Sequence, residues 1–125
     1  MIVGIGTDIV SIARISKTFD RHGDAFAKQL LSTAELAEFA AVTAPGPWLA
    51  KRWAAKEAFG KAAGTGILAP LTLSGIGIGH DTLGRPVFEL APGVQAYLQK
   101  IGVTRTHLSI SDEREHAIAF VVFET

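Results

Sequence analysis

Three side chains that could do chemistry together recur at helical spacing in the middle of the chain. Trp53, Glu57 and Lys61 follow one another at intervals of four residues, which places a ring, a carboxylate and an ammonium on one face of a helix. The surrounding residues are mostly alanine, phenylalanine and tryptophan, so we expect Glu57 to be half-buried and to need a cation or a metal ion as its partner. The alternative is an ordinary surface ion pair with Lys61, and the spacing alone does not decide between them.

A second carboxylate and a glycine-containing loop could complete a site around this helix. Asp8 lies far upstream in a Gly-Ile-Gly-Thr-Asp segment, and the loop Gly64-Thr65-Gly66 directly follows the helix. Two carboxylates, an ammonium and exposed loop amides are groups that hold a magnesium–phosphate assembly. The simpler interpretations are that Asp8 ends a strand or caps the next helix, and that the loop only terminates its own helix.

The elements that must position these residues follow from local patterns in the first half of the chain. The patterns predict a short buried strand over Ile2–Asp8, followed by a helix that is capped by Ser11 and broken near Gly23. A second helix is opened by a Ser32–Glu35 capping box and runs through Ala41. After a turn at Pro45-Gly46-Pro47, a long third helix covers Trp48–Ala63 and ends at Gly64.

The second half of the chain is rich in predicted strands. Apolar residues over 71–79, a turn at 81–84 and a strand over Val87–Leu90 suggest a hairpin, after which Pro92 opens a short helix. Thr106–Ser111 alternates between apolar and polar residues, whereas Ala117–Phe123 is apolar on both faces, as in a central strand. One strand, three helices and then a mostly antiparallel, strand-rich half predict an α+β fold.

Composition limits the remaining classes of function. The chain has 125 residues, of which 48% are hydrophobic, and this predicts one domain over 1–125 that buries part of its apolar surface against other copies of itself. The net charge of zero argues against nucleic-acid and anionic-membrane partners, and the absence of cysteine excludes disulfides and thiolate chemistry. We expect a soluble, cytoplasmic protein, because no apolar run is long enough to cross a membrane and the N-terminus lacks the features of a signal peptide.

Two further groups of polar residues have a functional and a simpler interpretation. Arg14, Lys17, Arg21 and Lys28 would form a basic stripe on one uninterrupted helix, either as a dock for an acidic protein or as an ordinary solvated face. His107 lies on the polar side of its predicted strand, where the pattern alone favours a structural histidine over a catalytic one.

Several segments, taken in their order along the chain, resemble the small bacterial holo-[acyl-carrier-protein] synthases, a family of 4′-phosphopantetheinyl transferases. The resemblance covers nearly the whole chain, and its most specific part is the Lys-Glu-Ala-x-x-Lys helix combined with the upstream Gly-x-Asp. The matching segments are Gly4–Val10, Lys51–Ala62, Gly64–Ile67, Gly84–Pro86 and His107–Ser111.

The resemblance implies the fold of that family and Mg²⁺-dependent transfer of 4′-phosphopantetheine from coenzyme A to a serine of apo-acyl carrier protein. Adenosine 3′,5′-bisphosphate would be released, and the reaction would serve fatty-acid biosynthesis. Asp8 and Glu57 would hold the metal, with Lys61 acting beside them in catalysis. The resemblance also implies a homotrimer with sites between subunits, in which coenzyme A meets Lys61, the loop Gly64-Thr65-Gly66 and, across the subunit boundary, Pro86, His107 and Ser109.

Two other functions stay open at this point. A magnesium-dependent hydrolase of coenzyme A or nucleotide pyrophosphates would use the same metal and phosphate residues, but it would have no need of a basic dock for a protein. A trimeric binding module without catalysis would not require Asp8, Glu57 and Lys61 together. The sequence also leaves open whether Glu57 or a water molecule would take the serine proton.

Overall fold

Two antiparallel sheets and five helices form the structure, a computed structural model that describes all 125 residues. The α+β class is confirmed. The larger sheet has the strand order β1-β5-β4, so β5 is central as predicted, and β2 and β3 form a separate hairpin. In chain order the elements are β1 Ile2–Ser11, α1 Ile12–His22, α2 Asp24–Leu30, α3 Thr33–Phe39, α4 Pro45–Ala63, β2 Ile76–His80, β3 Pro86–Leu90, α5 Pro92–Lys100, β4 Arg105–Asp112 and β5 His116–Glu124.

The predicted helix boundaries are confirmed where a local hydrogen bond or a backbone angle sets them. The Ser11 hydroxyl accepts from the Arg14 amide at 3.2 Å and starts α1. Ser32 and Glu35 form the predicted capping box, which starts α3. Gly23, at φ 55°, ends α1, and Gly64, at φ 81°, ends α4, both in the left-handed region that glycine tolerates.

Two predictions about the first half were wrong, and one helix there was not predicted. Pro45-Gly46-Pro47 is not a turn but the first turn of α4, where a proline costs no helical hydrogen bond. The short helix α2 was not predicted, since it begins directly after the break at Gly23. The strand β1 is not buried: it lies at the edge of its sheet, and Ile5 and Ile9 are 60% and 63% exposed because only its other face is covered.

Close packing between β1 and α4 is the feature that matters most for the site. Ala54, Ala55, Ala58 and Phe59 of α4 are completely buried, and small side chains let the sheet approach the helix axis. A Cβ atom on Gly6 would overlap the carbonyl oxygen of Ala58, and one on Gly4 would overlap that of Ala62. Larger residues in β1 would therefore push the strand away from the second half of α4.

The five helices are between 7 and 19 residues long. None of the five combines the length and the apolar character that a membrane-crossing helix requires.

Candidate active site

Asp8, Glu57 and Lys61 are brought together at the contact between β1 and α4. The Lys61 ammonium donates to Asp8 Oδ1 at 3.1 Å and to the Thr7 carbonyl oxygen at 3.0 Å. The Asp8 side chain is 16% exposed and that of Lys61 is 55% exposed, so the pair lies at the surface and is open on one side. The expected surface ion pair between Glu57 and Lys61 does not form within the 4.0 Å of an ion pair: the carboxylate that pairs with Lys61 is Asp8 of β1.

The electrostatics of Glu57 show that it shares this region with Asp8. Burial raises the pKa of Glu57 above its ordinary value, the negative charge of Asp8 raises it further, and Lys61 opposes the rise. Two carboxylates held this way repel each other, and a divalent cation between them would remove the repulsion.

The donor set fits Mg²⁺ rather than a metal that requires a complete protein cage. No third aspartate, glutamate, histidine or cysteine joins the two carboxylates. Magnesium is commonly held by one or two carboxylates, with substrate phosphates and water completing its octahedron. Asp8 and Glu57, with Lys61 beside them to contact a phosphate, match that arrangement.

The loop after α4 folds back over the last helical turn. The Gly66 amide donates to the Gly60 carbonyl oxygen at 3.0 Å, and the Gly64 amide donates to that of Lys61 at 3.0 Å. Of the three amides expected to be free for a phosphate, only that of Thr65 has no acceptor within the chain. The loop is thus an ordered turn beside Lys61 that leaves the Thr65 amide for a ligand, while the exposed Thr65 hydroxyl donates to the Gly66 carbonyl oxygen at 2.9 Å.

Pro86 and His107 belong to a second group of residues. They line one cavity of about 340 Å³, together with Asp81 and Arg85 of the hairpin. His107 Nε2 lies 2.5 Å from Glu124 Oε1, and this hydrogen bond is the largest cause that lowers the pKa of Glu124. The His107 ring is therefore held by a carboxylate of the neighbouring strand β5 and stays half-exposed.

His107 and Ser109 lie on the opposite face of the larger sheet from Asp8. Asp8 is in register with Ala119 of β5, which faces the helices, whereas Ser109 is in register with Phe120, which faces outwards. Because side chains alternate along a strand, His107 and Ser109 share the outer face and Asp8 lies on the inner one. A single chain does not bring these two groups of predicted site residues together.

The four predicted partner-binding cations are all exposed, and none forms an ion pair within the chain. Arg14, Lys17 and Arg21 lie on α1, as predicted. Lys28 lies on α2, so the stripe is not on one unbroken helix: Gly23 turns the chain between Arg21 and Lys28.

A buried ion cluster beside the site was not predicted. Lys56 and Glu35 are 0% and 1% exposed and meet at 2.6 Å, and burial lowers the pKa of Lys56. Arg52 Nε lies 3.1 Å from Glu35 Oε2, at an angle that makes an ion pair without a hydrogen bond, and the guanidinium lies over the Trp48 ring. Glu35 was identified only as a capping residue, and no spacing rule connects it with Lys56, 21 positions later.

The comparisons with known proteins agree over the full length of the chain. The sequence profile of the 4′-phosphopantetheinyl transferase superfamily matches residues 4–121. The holo-[acyl-carrier-protein] synthase of Laribacter hongkongensis is 53% identical over 124 residues, which are 99% of each protein.

Two solved structures are similar to this chain along the backbone as well. The crystal structure of the holo-[acyl-carrier-protein] synthase from Neisseria meningitidis has a TM-score of 0.97 and 50% identity, with 100% of both chains covered. The holo-(acyl-carrier-protein) synthase from Bacillus anthracis, solved in complex with CoA (3′,5′-ADP), has a TM-score of 0.84 and 34% identity, with 100% of this chain and 98% of that chain covered.

Proposed function

The chain belongs to the holo-[acyl-carrier-protein] synthases of the 4′-phosphopantetheinyl transferase superfamily, and we propose that it carries out their transfer with Mg²⁺, in the cytoplasm, for fatty-acid biosynthesis. The 4′-phosphopantetheine group passes from coenzyme A to a serine of apo-acyl carrier protein, and adenosine 3′,5′-bisphosphate leaves. The observation that carries the proposal is the convergence of Asp8, Glu57 and Lys61 beside an ordered loop.

Asp8 and Glu57 would hold the magnesium ion, which, when bound, offsets the negative charge of the pyrophosphate. In the reaction the serine oxygen forms a bond to the β-phosphorus, and the bond from that phosphorus to the bridging oxygen breaks. The electron pair of the broken bond stays on the leaving adenosine 3′,5′-bisphosphate. Lys61, whose ammonium is half-exposed and already placed at Asp8, stabilises that leaving phosphate or gives it a proton.

The serine proton needs an acceptor at the start of the reaction. Glu57 is the residue of this chain suited to the task, since burial and the negative charge of Asp8 raise its pKa above its ordinary value. A carboxylate with a raised pKa is a stronger base than an exposed one. Thr65, with its free amide, would orient the phosphate while the proton moves.

Assembly into a homotrimer would complete the site. The outer face of the larger sheet exposes Ile5, Ile9, Ile118 and Phe120 by 41–63%, which is a surface that a second copy of the chain would cover. Pro86, His107 and Ser109 of one copy would then bind the nucleotide of coenzyme A, whose pyrophosphate lies at Asp8 of the next copy. The opposite orientation of the two groups within one chain supports this arrangement.

Charge reversal on α1 is expected to weaken docking of the carrier protein without affecting coenzyme A. Acyl carrier proteins are acidic, and Arg14 and Arg21 are exposed and free of ion pairs. Arg14→Glu and Arg21→Glu should each raise the KM for the carrier protein by about five- to twentyfold, because close charge pairs set encounter and orientation. The KM for coenzyme A should stay within about twofold, as measured by steady-state kinetics over a salt series, since the Debye length is about 8 Å at 0.15 M.

Lys100→Glu, on the exposed last turn of α5, is the matched control and should leave both constants unchanged. Carrier kinetics unaffected by both α1 reversals would remove the docking assignment.

The raised pKa of Glu57 predicts that this residue destabilises the metal-free chain at neutral pH. Between its ordinary pKa and the raised one, the folded chain keeps a proton that the unfolded chain has lost, so stability falls as pH rises through that window. Glu57→Gln, uncharged at every pH, should raise Tm in chelator at pH 7 and flatten this fall. Mg²⁺ should raise the Tm of the unsubstituted chain and leave that of Glu57→Gln unchanged.

Calorimetry or thermal melting from pH 4 to 8 measures this effect, with Glu115→Gln on the exposed β4–β5 turn as the control. A lower Tm for Glu57→Gln at pH 7 in chelator, or an equal Mg²⁺ effect in both proteins, would contradict the assignment of Glu57 to the metal.

The balance of products tests the proposed reaction against hydrolysis. Coenzyme A labelled in its pantetheine part is incubated with the enzyme, Mg²⁺ and apo-acyl carrier protein. Transfer yields carrier-bound label in amounts equal to the adenosine 3′,5′-bisphosphate. Free phosphopantetheine would instead identify a hydrolase, and unchanged coenzyme A would identify a binding module.

A further inference from the structure

Lys56 is the most completely buried charged side chain of the molecule. It is 0% exposed, and its ammonium donates to Glu35 Oε1 at 2.6 Å, to the Leu30 carbonyl oxygen at 2.5 Å and to the Leu73 carbonyl oxygen at 3.0 Å. An ammonium has three donors, and all three are used. Lys56 is therefore fixed in direction as well as in place.

The partners of Lys56 come from three different segments that adjoin the site. Leu30 is the last residue of α2, Glu35 lies in α3, and Leu73 lies in the segment that leads from the loop after α4 to β2. Glu35 in turn accepts from the amides of Ser32 and Ile78. This cluster connects α4 to α2, to α3 and to the start of the β2–β3 hairpin through directional bonds.

Lys56 lies on the side of α4 away from β1. With 3.6 residues per turn, positions 58 and 62 lie roughly 160° and 120° around the helix from position 56. Ala58 and Ala62 are the residues whose carbonyl oxygens touch the glycines of β1. That contact sets how closely strand and helix approach, whereas the three directional hydrogen bonds of Lys56 act on the opposite side of the helix, where they can fix its rotation.

We propose that Glu35 and Lys56 are positioning residues, which set the rotation and axial position of α4 so that Glu57 and Lys61 face Asp8. The inference rests on the proposed function, since it concerns the site that function uses. Glu57 is the next residue after Lys56, so any rotation of the helix at Lys56 moves the Glu57 carboxylate with it. Misplacement of catalytic groups by about 1 Å can cost on the order of 100-fold in rate.

Replacing one partner of a buried ion pair and replacing both partners have different effects on stability. Removal of one partner leaves an unpaired buried charge and destabilises strongly, whereas neutral replacement of both partners is often tolerated. Glu35→Gln alone, which leaves the buried Lys56 ammonium without a carboxylate partner, should lower Tm by about 10 °C or more. Glu35→Gln combined with Lys56→Met removes both charges of the pair, keeps an oxygen for the capping box and leaves Arg52 paired with Glu38 at 3.3 Å. Its Tm should return to within about 5 °C of the unsubstituted chain.

The decisive measurement is steady-state kinetics of the double variant at a temperature well below its Tm. We expect kcat to fall by about 10- to 100-fold, with the KM values for coenzyme A and carrier protein within about threefold. Leu98→Ala, a buried change on α5, is the control for lost stability alone, and its kcat per folded molecule should be unchanged.

A stable double variant with full kcat would overturn the proposal, as would an equal loss of kcat in Leu98→Ala. If the double variant does not fold, Glu35→Asp tests the same point: it keeps the charge but shortens its reach, and we expect a kcat at least about fivefold lower. Full kcat in Glu35→Asp would then overturn it. Inactivity of the unsubstituted chain in the same assay would contradict the proposed function instead.

Discussion

Asp8→Ala and Glu57→Ala are each expected to lower kcat/KM for carrier modification by at least about 10³-fold. In the proposed site these two carboxylates are the only side chains that would hold the metal, so loss of either would leave the magnesium ion with one ligand from the chain. Asp8→Ala also frees the Lys61 ammonium, whose other partner is a backbone carbonyl oxygen. The defect is therefore expected in the chemical step and not in binding of the carrier protein.

Measurements of folding distinguish the loss of a metal ligand from a general loss of structure. Both carboxylates lie at a partly open surface, so circular dichroism and oligomeric mass should be unchanged in the two variants. Glu115→Ala, which removes an exposed carboxylate without an ion pair, should have normal activity. If either site variant kept more than about a tenth of the normal kcat/KM, that residue would not be a metal ligand.

Mixing two defective variants is expected to restore activity, because each site of the proposed homotrimer would draw on two chains. Asp8→Ala lacks the metal ligand but keeps His107, and His107→Ala has the reverse defect. After random exchange in a homotrimer, about one quarter of the interfaces would combine an intact Asp8 with an intact His107 of the neighbouring copy. Activity at low coenzyme A should then reach about a quarter of the normal value per site, well above that of either variant alone.

The chain offers a matched control for this experiment. Asp8 and Glu57 meet within one chain, so a mixture of Asp8→Ala with Glu57→Ala can never rebuild a metal site and should stay inactive. Subunit exchange is verified by native mass spectrometry with one isotopically labelled partner. Absence of recovery after verified exchange would place His107 and Asp8 in separate sites.

Local features of the fold could be predicted from sequence, and for a physical reason. The Ser32–Glu35 capping box and the glycine at position 64 act through hydrogen bonds and backbone angles within a few residues. The prediction of a turn at Pro45-Gly46-Pro47 was wrong because proline is equally acceptable in a turn and in the first turn of a helix. Only the packing of α4 decides between them.

Contacts between residues that lie far apart in the sequence could not be predicted from local patterns. Nothing near Asp8 indicates that its partner is Lys61, because their contact depends on Gly4 and Gly6 packing against the backbone of α4. The polar face of β4 could be predicted from alternation, but its orientation relative to Asp8 depends on the register of both strands with β5. Nothing in the sequence indicated that Lys56 is buried, because a lysine among alanines is as typical of a solvated helix as of a buried ion pair.

Intact-mass analysis of apo-acyl carrier protein is the most direct test of the proposed Mg²⁺-dependent transfer. The carrier is incubated with coenzyme A, Mg²⁺ and the enzyme, in parallel with a chelator and with the Asp8→Ala variant. The carrier is expected to gain one phosphopantetheine on a serine only in the reaction with Mg²⁺ and the unsubstituted enzyme. A carrier of unchanged mass in that reaction, or equal modification in the presence of chelator, would contradict it.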